Sequence, residues 1–205
     1  MGNDFDLRGW MRLPFRFNAP ELKMLSELNP HRGRGERLVD MHSLAEALPI
    51  KFTSCLQNMG FDPRPNRAVG FAKSKDSNWS LPWHQDRIMA MNQRIDSPDY
   101  SNWARKSGVW HCEPSVATLQ HMTFAYIAFD NISDGQGGLE LAEGTHRHGK
   151  IAETDIAAHI SNSTLVKPEL LCGEVLLISS LTLHRSAVMR ESGNRRTLRI
   201  DFSKL

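Results

Sequence analysis

Residues 174–202, EVLLISSLTLHRSAVMRESGNRRTLRIDF, decide how the rest of the chain is read. An apolar run that starts at Glu174 ends in His184. A turn-forming ESGN follows at 191–194, and a second strand-like run opens at Arg195. Turn residues between such runs are the usual punctuation of strands. Two strands joined by that turn are expected to lie side by side, with Arg195 next to the strand that carries His184. A histidine at the end of a buried strand can face a pocket. A buried arginine needs an anionic partner, and its planar fork suits a carboxylate. By the strand period of two, Thr197 shares the face of Arg195, while Arg196 turns to the other side.

The same texture reaches back to residue 66. NRAVGFAKS (66–74), TFAYIAFDN (123–131) and GGLELAEGTH (137–146) are short strand-like runs, set apart by the turn-formers KDSN and SDGQGG. Several short strands with turns between them predict a mainly β domain, a sandwich or barrel with helices packed outside. The helices fall earlier. APELKMLSELNPHRG (19–33) carries an apolar face at Leu22, Met24, Leu25 and Leu28 and ends near Pro30 and Gly33. DMHSLAEALPIKFTSCLQNMG (40–60) reads as helix interrupted at Pro49 and closed by Gly60. IAETDIAAHI (151–160) is expected to be one helix between strands. Residues 92–109, with Pro98, Gly108 and many polar side chains, are expected to form a long loop, often a lid in such a domain. Gln120, His121 and Thr123 are expected to open a core strand in which Tyr126 fills the core or else reaches a co-substrate, core filling being the expectation.

The chain has 205 residues, which suits one domain: a partly helical region over 1–65 and a β core over 66–205. Hydrophobic residues make up 40% and the formal charge is +2, with the basic residues scattered. Neither nucleic acid nor a membrane surface is implied by that balance. Cys55, Cys112 and Cys172 are odd in number and far apart, so no disulfide framework or zinc ribbon is suggested. The expected location is the cytoplasm, since the N-terminal stretch lacks an apolar signal core and the most apolar run, 170–183, is too short to span a bilayer and contains Glu174.

LPWHQD (81–86) sets His84 and Asp86 two positions apart. On an extended segment such residues share a face, roughly 6.5–7 Å apart along the backbone. Alone, the pattern carries little information, because a strand-end histidine beside a surface aspartate spells the same letters. With His184 downstream the set becomes two histidines and one carboxylate. That is the facial triad of non-haem Fe(II) oxygenases, which leaves coordination positions open. His146 and His148 share a similar spacing but sit in a polar turn. His111, in the trio His111-Cys112-Glu113, is read as a loop histidine. Trp83 is expected to pack the barrel, and Gln85 to point away from the metal. Lys73 and Asn78 lead into the motif as solvated residues or as neighbours of a co-substrate.

Four blocks, in order, give a resemblance. FAKSKDSNWSLPWHQDR, GVWHCEP, GGLELAEGTHRHG and LHRSAVMRESGNRRTLRIDF resemble the corresponding blocks of the phytanoyl-CoA dioxygenase family, from about Ala68 to the C-terminus. The resemblance implies a double-stranded β-helix, the jelly-roll or cupin-like core, binding Fe(II), 2-oxoglutarate and O2. By position it implies His84, Asp86 and His184 as iron ligands. It implies Arg195 as the partner of the distal carboxylate of 2-oxoglutarate, with Ser186 assisting and Thr197 beside it. It also implies that GVWHCEP lies near the substrate mouth, the alternative to a plain loop position for His111. The implied reaction is hydroxylation of a small organic molecule, with 2-oxoglutarate passing to succinate and CO2. The family's PGSH stands here as EGTH, with Glu143 for the proline. Asp86 stands where related halogenases carry Gly or Ala, which favours hydroxylation over halogenation. The alternative from another class is a cupin-like metal-binding barrel without oxygenase activity, a sensor or isomerase. Arg195 separates the two, because such a barrel has no need of a buried arginine. The expected partner is a small molecule, with no nucleic acid or membrane. Substrate identity and oligomeric state are not encoded in these patterns.

Overall fold

The structure is a computed structural model that describes residues 2–29 and 33–204. In chain order it runs α1 (Gly2–Arg8), β1 (Trp10–Arg16), α2 (Ala19–Leu28), β2 (Glu36–Leu38), α3 (Met41–Ala47), α4 (Ile50–Asn58) and β3 (Arg67–Lys73). There follow β4 (Leu81–His84), β5 (Met89–Met91), β6 (Tyr100–Lys106), β7 (Val109–Pro114), α5 (Val116–Gln120), β8 (Met122–Ala128) and β9 (Leu139–Ala142). The chain closes with α6 (Ile156–Ser161), β10 (Leu165–Val166), β11 (Glu174–Ser179), β12 (His184–Ser186) and β13 (Arg195–Ser203).

The strands form a jelly roll. A six-stranded sheet, in the order β1-β11-β8-β13-β3-β2, faces a four-stranded sheet, β10-β9-β12-β4, and β5-β7-β6 form a third, smaller sheet. All pairings between these strands are antiparallel. The large sheet is covered on both sides, so its central strands show little polar–apolar alternation. On one side Ala125, Ile127, Val175, Leu177, Leu198, Ile200 and Phe202 pack against Leu25, Leu44, Phe52 and Leu56 of α2, α3 and α4. On the other side Phe124, Tyr126, Leu176 and Ile178 pack with Leu139 and Leu141 of the small sheet. Strand β13 differs from its neighbours on that inner side. Its buried inner positions are Arg195, Thr197, Arg199 and Asp201, and polar groups buried in such a row need partners or a ligand.

The helices lie close to where the sequence puts them. Asn18 caps α2 with a capping box to Glu21, and Asp40 caps α3. Pro49 separates α3 from α4, and Gly60 follows α4 with a φ of 81°. The expected stop at Pro30 falls outside the described residues. Residues 153–155 make a short 3-10 turn that leads into α6.

Several expectations change. The run 174–187 is two strands in two sheets: β11 ends at Ser179, and β12 starts at His184. The corner between them is itself buried, with Leu181 and Leu183 fully covered, so its hydrophobicity gives no sign of a break. It follows that β12 and β13 are not paired. β12 lies between β9 and β4, β13 lies between β8 and β3, and the turn at 191–194 crosses from one sheet to the other. Residues 92–109 are not one loop, because β6 occupies Tyr100–Lys106 and pairs with β7. That strand is charged and half exposed, and it bulges near Asn102, whose φ is 53°, which hides its period. Gln120 ends α5 and His121 caps it, so the core strand opens at Met122. β1 went unread because Pro14 sits within it. The strand tolerates the proline as a sheet edge whose register shifts between Arg12 and Arg16. Among the described residues, no helix is long and apolar enough to cross a membrane.

Candidate active site

Register brings the two histidines together. His84, the last residue of β4, and His184, the first of β12, are Cα partners, and their rings lie 4.4 Å apart between centroids. Asp86 follows just after β4, held by its backbone N–H, which donates to Ser180 O at 2.9 Å. Between them Gln85 turns away, as expected. Its amide donates to Gly149 O and Leu181 O, each at 2.8 Å, and its carbonyl accepts from Ile151 N–H at 2.9 Å. The ligand atoms of His84, Asp86 and His184 all lie within 4.8 Å of one another.

The donor set fits a metal. His84 Nδ1 lies 2.8 Å from Pro82 O, and His184 Nδ1 lies 2.8 Å from Thr182 O. A carbonyl only accepts, so each Nδ1 carries the hydrogen and each Nε2 lone pair is turned toward the site. Burial, followed by the neighbouring His184, lowers the pKa of His84 and keeps its imidazole neutral. Burial would raise the pKa of Asp86, but Arg199 and His184 outweigh it and hold the carboxyl well below its ordinary value. Asp86 Oδ2 is 3.0 Å from His184 Nε2 and also contacts Arg199 Nη1.

Arg199 was not foreseen. It lies four residues beyond Arg195, on the same face of β13, so the strand period was a usable signal. Its Nε donates to Asp201 Oδ1 at 2.6 Å, and Arg67 Nε reaches Asp201 Oδ2 at 2.6 Å. A buried chain of alternating charge thus runs Asp86, Arg199, Asp201, Arg67. Burial opposes the charge on Arg199, yet Asp201 and Asp86 raise its pKa above the ordinary value. The guanidinium carbon also stands 4.2 Å from the centroid of the Phe124 ring.

Arg195 is 3% exposed and has no carboxylate partner among the described residues. Its Nη1 donates to the Tyr126 hydroxyl, and its Nε has no partner among the described residues. Tyr126 therefore does more than fill the core, since it orients Arg195 and lines the same cavity. Lys73, the Cα partner of Arg195 on β3, is fully buried rather than solvated. Its ammonium donates to Ser186 Oγ at 2.7 Å, to Gly137 O at 3.2 Å and to Ala187 O. Burial, then the adjacent Arg195, pushes the Lys73 pKa down to about 7. Ser186 donates in turn to Gly137 O at 3.0 Å.

His84, Asp86, His184, Ser186 and Arg195 line one cavity of about 260 Å³, together with Tyr126 and Arg199. Thr197 lies on the same face of β13, fully buried, but outside the lining. Arg196 points the other way, as expected, and pairs with Asp130. His111 lines a different, smaller hollow, and its Nδ1 donates to Val109 O at 3.1 Å. His146 reaches Asp6 O at 3.1 Å, away from the triad. Trp83 packs beside Leu183 and Ile151, under the guanidinium of Arg185, whereas Trp79 lines the cavity. Asn78 is tied to the backbone of Met189, and Glu143 accepts from Trp10 Nε1 at 3.0 Å.

The sequence pattern of the phytanoyl-CoA dioxygenase (PhyH) family matches residues 33–197. The chain belongs to that family. The match begins well before Ala68, so β2, α3 and α4 fall within the PhyH pattern too. No curated protein matches the chain by sequence similarity. Among solved structures, AviO1 from Streptomyces viridochromogenes Tue57 has a TM-score of 0.67 at 13% identity, over 99% of this chain and 93% of that one. EctD from S. alaskensis, solved with 2-oxoglutarate and 5-hydroxyectoine, has a TM-score of 0.71 at 15% identity, over 99% and 74%. SnoN, a non-heme alpha ketoglutarate dependent epimerase from nogalamycin biosynthesis, has a TM-score of 0.68 at 12% identity, over 99% and 81%. At these identities the likeness establishes the fold. Membership of the PhyH family, together with the His–Asp–His triad, supports an enzyme of the oxygenase kind.

Proposed function

We propose that the protein is an Fe(II)- and 2-oxoglutarate-dependent dioxygenase that hydroxylates a small organic molecule. One observation carries this reading: the triad shares a cavity with a buried arginine that lacks an acidic partner among the described residues. Two neutral histidines and one aspartate leave a divalent iron with net positive charge and open positions. Such a site would hold the keto-acid end of 2-oxoglutarate. Its distal carboxylate then needs a cation, and Arg195, backed by Lys73, supplies one. With all partners bound, the overall change is R–H + 2-oxoglutarate + O2 → R–OH + succinate + CO2. One oxygen atom enters the alcohol and the other the new carboxylate of succinate.

The chain's own residues bind, orient and exclude water. Tyr126 fixes the Arg195 fork, while Ser186 and the Gly137 carbonyl hold Lys73 beneath it. Val69, Phe71, Trp79, Leu81, Phe124 and Leu139 give the cavity an apolar wall that limits solvent. The free cysteines fit a reducing compartment, which is consistent with a cytoplasmic enzyme. The test is anaerobic addition of Fe(II) and 2-oxoglutarate, watched for the visible charge-transfer band of a chelated keto acid, followed by succinate release in air. No band from the wild-type protein would count against the oxygenase and favour a metal-binding barrel.

A further inference from the structure

Among the described residues the cavity is lined by six arginines, Arg34, Arg37, Arg67, Arg185, Arg195 and Arg199, and by a single carboxylate, Asp86. Four of the six are accounted for. Arg199 pairs with Asp86 and Asp201, Arg67 with Asp201, and Arg185 with Glu140. Arg195 is assigned above to the co-substrate. Arg34 and Arg37 have no acidic partner among the described residues. Loading the site leaves this excess in place, because Fe(II) adds two positive charges and 2-oxoglutarate two negative ones.

Arg37 is the better placed of the two. It lies on β2, the edge strand, where its Cα partner is Val69, and Val69 is in turn the partner of Arg199. The three residues form one row across β2, β3 and β13, so their side chains share the inner face. Two strand spacings put the Cα atoms of Arg37 and Arg199 about 10 Å apart, and Arg199 touches the metal-ligating Asp86. Arg195 is four residues before Arg199 on β13, about 13 Å away by strand rise. The guanidiniums of Arg195, assigned to the co-substrate, and of Arg37 therefore occupy different places around the triad. Arg37 is half-buried, and its Nε is covered yet has no hydrogen-bond partner among the described residues. A covered donor left unmade is costly unless a ligand meets it. Burial, then Arg67, lowers its pKa, which is what a cation lacking a counter-ion experiences.

We propose that the molecule oxidised is an oxyanion, whose carboxylate or phosphate group is received by Arg37 with Arg34 at the rim. This rests on the oxygenase assignment and adds the substrate class to it. The anion anchors one end of the substrate at the edge strand and leaves a nearby C–H facing the triad. Arg34 is exposed, with its guanidinium 5.9 Å from the centroid of the Trp79 ring, and so can act at the entrance. Arg94, Arg105 and Lys106 lie outside the cavity lining.

The experiment uses the full chain, labelled with 15N-arginine and loaded with Zn(II) and 2-oxoglutarate so that Arg195 is already occupied. Benzoate, phenyl phosphate and benzamide are added in turn, and the Arg37 Nε–H signal, assigned with Arg37→Lys, is followed. The expected result is a saturable shift with benzoate or phenyl phosphate and none with neutral benzamide. The stronger of the two anions separates carboxylate from phosphate. In Arg37→Met the affinity for that anion should fall roughly tenfold or more, as for a charge-assisted contact. Arg37→Lys, which keeps the charge, should retain part of it. Absence of a shift with both anions, or a shift of equal size with benzamide, overturns the proposal. The charge-transfer band is read separately. A band without anion binding at Arg37 defeats this inference alone, and anion binding without a band defeats the oxygenase reading instead.

Discussion

Arg199 Nη1 is ion-paired with Asp86 Oδ2, so a buried guanidinium stands where a metal ion would claim the same carboxylate. Removing one member of a buried ion network leaves an uncompensated charge, at a cost of about 3–5 kcal/mol. Arg199→Met is expected to lower stability by that order, measured by denaturant unfolding of the metal-free protein. Because Asp86 then lacks its neighbouring cation, added Zn(II) should raise the melting temperature of the variant more than that of wild type. A variant as stable as wild type, or one indifferent to zinc, would refute the role given to this pair.

Arg195 makes no ion pair among the described residues and donates to Tyr126. Arg195→Ala is expected to weaken 2-oxoglutarate binding at least tenfold, since hydrogen bonds to charged groups contribute about 1.5–3 kcal/mol each. Fe(II) affinity should be little changed. Anaerobic titration of the charge-transfer band gives both constants, and an unaltered 2-oxoglutarate constant would remove Arg195 from the site. Tyr126→Phe, which only frees the fork, should produce a smaller loss of the same kind.

Lys73 gives a pH dependence with a definite sign. Its pKa falls from 10.5 to about 7 in the folded chain, through burial first and Arg195 second. The groups facing it are Arg195, the Trp79 ring, the Ser186 hydroxyl and the carbonyls of Gly137 and Ala187. Below about 7 the lysine is charged and strengthens the pull on a carboxylate at Arg195. As pH rises through that value, affinity for 2-oxoglutarate should decline, and Lys73→Met should flatten the profile. Stability runs the opposite way. Between about 7 and 10.5 the unfolded lysine holds its proton while the folded one does not, so stability from this group rises with pH. Equilibrium unfolding across that window, compared with Lys73→Met, measures the difference.

Gly137 has a φ of 61°, and a Cβ there would fall 2.6 Å from Ala187 O. Its own carbonyl accepts from Lys73 and Ser186. Gly137→Ala should therefore displace that carbonyl and loosen Lys73, weakening 2-oxoglutarate while leaving iron binding intact. Titration of the charge-transfer band checks this, and an affinity equal to wild type would show that the carbonyl cradle is dispensable.

How much was legible differs from residue to residue. His84, Asp86, His184 and Arg195 could be found because each stands at a strand end or turn with a fixed local spacing. Arg196 could be turned outward by the same period of two, and it does face Asp130. Tyr126 and Lys73 could not be placed, since their contact with Arg195 depends on how β8, β13 and β3 are aligned. β1 was hidden by Pro14, and the corner between β11 and β12 was hidden by its own apolar residues.

The sequence by itself determined the family, the helices α2, α3, α4 and α6, most core strands, and the residue types able to make a metal triad with a cation in attendance. All of these follow from short-range patterns, because side-chain direction alternates locally along a strand. Only the tertiary structure decided that His184 and Arg195 reach one cavity from opposite sheets rather than from one hairpin. It alone decided that Arg199 grips Asp86 and that Arg37, on the edge strand, is aligned with Arg199 across β3. Register and sheet order are fixed by packing on both faces at once, and no local pattern carries that information.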